Sequence, residues 1–143
     1  MKKDSSFLAI LPLTEMNLNG EHDMTTQEQL AAAFTIRNGV NDRAGKAANT
    51  KRITAAGVRE AQDAVDAAEH AFVDAVMDEA HPGDVDYLQA GVMTARANRE
   101  LARGADLAAL IRCTLIAEEM RGAYQDVLAA IAADDKRLAS VNK

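Results

Sequence analysis

From Val58 to Ala75 the residues Val58, Ala61, Val65, Ala68, Phe72 and Ala75 follow one another at spacings of three and four. Only an α-helix brings such a set onto one face, and a strict heptad of this kind makes a seam that packs against another helix. Large residues alternate with alanine along it. Alanine at every second seam position lets two backbones approach closely. This stretch predicts a helix over roughly 54–80, ended by His81-Pro82-Gly83-Asp84, with Asp84 capping the next one.

Composition extends the same argument to the whole chain. Thirty of the 143 residues are alanine, and hydrophobic residues make up 48% but aromatic ones only 3%. Two prolines, eight glycines and few β-branched or aromatic residues disfavour an all-β domain. The apolar content is too high for bulk disorder. The expected fold class is all-α: an antiparallel bundle of three to four helices, Ala-rich and with heptad seams.

The first helix is expected over about 26–38, with Leu30, Ala33, Phe34 and Arg37 on neighbouring faces and a stop at Asn38-Gly39. Val40, Ala44 and Ala47 keep a helical spacing, so continuation to Ala48 is the alternative. Both Thr25 with Glu28 and Thr26 with Gln29 fit a capping box at its start. A third helix is expected over about 85–103, with Val85, Leu88, Val92 and Ala95 on one stripe. The fourth runs from near Asp106 to about Leu138. Gly104 either separates these two or is absorbed into one very long helix, and a break there is the favoured reading.

Two segments of the chain are distinguished. Residues 24–143 form the single helical domain, and residues 1–23 are an N-terminal extension. Phe7, Leu8, Ile10 and Leu11 could anchor such an arm. Alternatively Gly20-Glu21 encodes a ribosome-binding site and translation starts at Met24. No apolar run reaches the 18–20 residues of a membrane span. A single cysteine cannot form an internal disulfide, and the expected compartment is the cytoplasm.

The net charge of −6 argues against nonspecific nucleic-acid binding. Its distribution is uneven. Residues 25–53 carry five basic and two acidic side chains, whereas 54–86 carry one basic and nine acidic. The plain reading is mutual neutralisation across a helix pair. The sharper one makes Arg37, Arg43, Lys46, Lys51 and Arg52, or the acidic Asp63, Asp66 and Asp74, a surface for a partner. A helix-turn-helix placed here would run its recognition helix into Asp63, Asp66 and Glu69, which repel phosphates. Gly39 and Gly45 are spaced one residue too far apart for a phosphate loop of the Walker A type, and Ala47 stands where a magnesium-holding hydroxyl belongs.

No catalytic set is legible. Asp66, His70 and Asp74 share one helix face, but the Glu-x-x-His pairs of di-iron bundles are missing, and no metal or cofactor is expected. Cys113 falls among Leu110, Ala117 and Met120 and reads as a core thiol. In the fourth helix Leu110, Ala117, Tyr124, Ile131 and Leu138 recur every seven residues, with Cys113, Met120 and Val127 at the second seam position. Small core side chains bury limited area, so an oligomer is expected, most simply a dimer through Leu110, Met120, Tyr124, Val127, Ile131 and Leu138. The functional expectation is a non-catalytic interaction protein that self-assembles and binds a protein partner, such as an accessory, assembly or inhibitor protein of a bacterium or bacteriophage. The alternative is a nucleic-acid-binding regulator using residues 37–59.

Overall fold

The computed structural model describes residues 25–141. They form two α-helices, α1 (Thr26–Met77) and α2 (Pro82–Val141), joined by a short turn, and no strand occurs among them. The all-helical expectation holds. The number of helices does not: two occur among the described residues where three or four were expected. The expected extension and a start at Met24 lie outside the described residues.

The start of α1 is fixed locally. Glu28 donates its backbone N–H to Thr25 Oγ1 at 3.1 Å, and Thr25 N–H is received by Glu28 Oε1 at 2.9 Å. Of the two capping boxes the sequence offers, this reciprocal pair is the one formed. Thr26 is thereby free to serve elsewhere, as described below.

The expected stop at Asn38-Gly39 is not there, and α1 runs through both residues. The reason is the seam. Half-buried and buried residues recur at spacings of three and four without interruption, from Leu30, Ala33 and Arg37 through Val40, Ala44 and Ala47 to Lys51, Thr54 and Val58. Val40 is 1% exposed and Ala47 5%. Burial of that face outweighs the roughly 1 kcal/mol that each helical glycine costs relative to alanine. Gly104 is likewise absorbed into α2, because Ala102, Asp106 and Ala109 carry the stripe across it.

The helices end by a recognisable mechanism. Glu79 lies at φ 53°, Ala80 N–H bonds Ala75 O at 3.0 Å, and Glu79 N–H bonds Val76 O at 3.2 Å. That is a Schellman closure with glutamate where glycine is usual. The cap of α2 is His81, not Asp84. His81 Nδ1 accepts the Gly83 N–H at 3.0 Å, and its carbonyl accepts from Asp84 and Val85. Pro82 occupies the first helical position, where its missing N–H costs nothing, and Asp84 falls in the first turn, favourable for the dipole.

The chain divides into two compact units. In the first, residues 25–46 run antiparallel to 114–141: Thr26 pairs with Asp134 and Arg43 with Glu119. Its buried residues are Val40, Ile116, Ala123 and Val127. In the second, residues 47–113 fold back through the turn, with Cys113 on Ala47, Thr54 on Asp106 and Arg96 on Glu69. Its buried residues are Ala47, Val65, Val92 and Ala109. Every one of these eight is aliphatic and none is larger than isoleucine.

Candidate interaction surfaces

Each helix pair has room for one buried stripe, and polar groups interrupt it at fixed heights. In the second unit Asp106 Oδ1 accepts the Thr54 hydroxyl at 2.8 Å and lies 3.1 Å from Lys51 Nζ. The hydroxyl bond first, and the ammonium second, hold the Asp106 carboxyl below its ordinary value, against a smaller desolvation effect. In the first unit Asp134 Oδ1 accepts Thr26 Oγ1 at 2.9 Å and Arg137 Nε at 3.1 Å. Polar layers of this kind favour one register, because a slip along the seam separates each hydroxyl donor from its carboxylate.

The basic residues singled out in the sequence are largely engaged within their own units. Arg43 pairs with Glu119 at 2.8 Å, Lys46 with Asp42 at 3.4 Å, and Lys51 with Asp106. Arg52 donates to Asn49. Arg37 is half-buried in the seam, with its guanidinium 4.9 Å from the centre of the Phe34 ring and Nη2 3.3 Å from Asn38 Oδ1. Its Nε is buried with no hydrogen-bond partner among the described residues. Two of these side chains, Arg37 and Lys51, occupy the seam of their own unit.

Asp63, Asp66 and Asp74 are exposed on α1. Asp66 accepts from Gln62 at 2.9 Å, and Asp74 lies 3.8 Å from His70 Nε2. Among the described residues no three His, Cys, Asp or Glu side chains stand together as a metal-binding group. Cys113 is half-buried and its thiol donates to the Ala47 carbonyl at 3.5 Å.

Apolar side chains outside the seam form the more distinctive surface. Of the residues expected in an oligomer seam, Val127 is buried within the first unit, while Leu110, Met120, Tyr124, Ile131 and Leu138 are exposed. Leu128 is exposed as well, on the same face of the first unit as Tyr124 and Ile131. In the first unit Ala117, Arg121, Tyr124, Leu128, Ile131, Asp135 and Leu138 succeed one another at spacings of four and three. This is a second heptad stripe, next to the one filled by Ile116, Ala123 and Val127. The seven-residue recurrence of Ala117, Tyr124, Ile131 and Leu138 carries its signal in the sequence, and Leu128 falls between Tyr124 and Ile131 on the same face.

The second unit carries a different feature. A groove of about 430 Å³ is floored by Ala61, Ala64, Ala68, Gly91 and Ala95 and walled by Tyr87 and Leu88. Tyr87 is 78% exposed there. No described helix is long and apolar enough to cross a membrane. Comparisons with family models, with curated proteins and with solved structures find no match to this chain.

Proposed function

We propose that this chain is a non-catalytic helical interaction module of the cytoplasm, one that associates with itself and docks a protein partner in an accessory or assembly role. One observation carries the reading. After the intrachain stripe is filled, α2 still presents Tyr124, Leu128 and Ile131 to solvent along one line, with Leu138 on the same line beyond Asp135. A contiguous apolar stripe on a charged protein is the ordinary mark of a protein contact. Two hairpins laid side by side would bring four helices together, which is how the expected four-helix bundle would be reached.

Sedimentation equilibrium over micromolar concentrations tests self-association, and affinity capture with mass-spectrometric identification tests for the partner. A chain that stays monomeric and captures nothing overturns the reading. Binding of random duplex DNA that weakens steeply with salt would favour the nucleic-acid alternative instead. The engagement of Arg43, Lys46 and Lys51 with Glu119, Asp42 and Asp106 leaves that alternative with few free cations.

A further inference from the structure

The outer stripe of the first unit contains two charged residues, and their signs are opposite. Arg121 and Asp135 lie seven residues to either side of Leu128, two helical turns in each direction. Both are exposed, and neither makes a hydrogen bond or ion pair among the described residues. Everything between them on the stripe is apolar: Tyr124, Leu128 and Ile131.

That symmetry restricts the occupant. Resting on the self-association reading above, we infer that two copies pair their α2 segments antiparallel about Leu128, Arg121 of each opposite Asp135 of the other. In this pairing Leu128 meets Leu128 at the centre and each charge meets its complement, while Tyr124 of one copy falls one residue out of level with Ile131 of the other. A parallel pairing would set Arg121 against Arg121 and Asp135 against Asp135, and like charges at an interface discriminate strongly against that arrangement. The stretch covered, seven residues beyond Leu128 on each side and then Leu138, lies wholly within the first unit. An unrelated apolar partner would satisfy Tyr124 and Leu128 equally well, but nothing would then require opposite charges at equal distances.

The experiment is a charge-swap series followed by sedimentation equilibrium, with circular dichroism to verify helicity. In the antiparallel pair each single swap, Arg121→Asp or Asp135→Arg, makes both symmetry-related contacts repulsive. Each should weaken dimerisation roughly tenfold or more, which corresponds to about 1.4 kcal/mol. The double swap should return the dissociation constant to within about threefold of the original. A dimer indifferent to the single swaps, or one the double swap does not restore, overturns this pairing while leaving self-association intact. A chain that is monomeric both with and without residues 1–23 overturns both. A monomer that dimerises only when residues 1–23 are removed would assign the stripe to that segment and also overturns the pairing.

Discussion

Lys51 of α1 and Asp106 of α2 meet across the seam of the second unit, their Nζ and Oδ1 3.1 Å apart, with the Thr54 hydroxyl on the same oxygen. Both side chains are about one-third exposed or less. The pairing sits at a position where the heptad calls for an apolar residue, so its contribution is to alignment as much as to stability.

The first expectation concerns acid. The carboxyl of Asp106 titrates below its ordinary 3.8 in the folded chain, because Thr54 and Lys51 favour the charged form. A depressed carboxylate stabilises the fold above its unfolded value, and that stabilisation is lost as pH falls through the folded one. Asp106→Asn should therefore be less stable than wild type at neutral pH. The gap should narrow as the pH drops below 3.8. Denaturant midpoints of the two proteins between pH 7 and pH 2.5 measure it; a constant gap would contradict the assignment.

The turn offers a gain in stability. Glu79 holds a left-handed backbone that costs a non-glycine residue about 1 kcal/mol. Glu79→Gly should raise stability by up to about that amount, seen as a higher urea midpoint at unchanged slope. No change would mean that the turn relaxes away from this conformation in solution.

Helical glycines give a second gain. At Gly39 and Gly104 an added Cβ meets nothing within 4 Å. Gly39→Ala and Gly104→Ala should each stabilise by roughly 0.5–1 kcal/mol and raise helicity. A loss at either site would show that its face is covered in solution.

Burial separates two valines of the same helix. Val65 is 1% exposed and Val73 53%. Truncating Val65 to alanine removes two buried methyl groups and should cost roughly 1.5–3 kcal/mol once the residual cavity is included. Val73→Ala should stay within about 0.5 kcal/mol, as surface changes do. Thermal melts of the two variants decide this, and similar losses would place Val73 in an interface.

Much of this architecture is legible in the sequence. The seam from Val58 to Ala75, the stripe from Val85 to Ala95 and the Thr25–Glu28 cap follow from spacing and residue type alone. What misled was local propensity. Asn38-Gly39 and Gly104 carry the composition of helix ends, yet the stripe on either side is in phase, and a buried Val40 or Ala109 overrides a weak local preference. In the C-terminal part of α2 two apolar stripes lie side by side. Periodicity can count them but cannot tell which faces α1, since Val127 and Ile131 belong to different stripes and look alike in sequence. The cap by His81 was unreadable for another reason: a histidine nitrogen accepting from a backbone N–H has no sequence signature distinct from that of any helix-end histidine.

The antiparallel pairing also sets an order of assembly. Glu69 and Arg96 are 27 residues apart in the chain, whereas Thr26 and Asp134 are separated by 108. Pairs near the turn close short loops, and each pair farther out closes a longer one at a greater entropic cost. On the ribosome the consequence is a delay. The segment ending at Lys46 must wait for the one beginning at Thr114, about 70 residues later, which at 5–20 residues per second is several seconds. For that interval Leu30, Phe34 and Val40 have been synthesised without the part of α2 that covers their face.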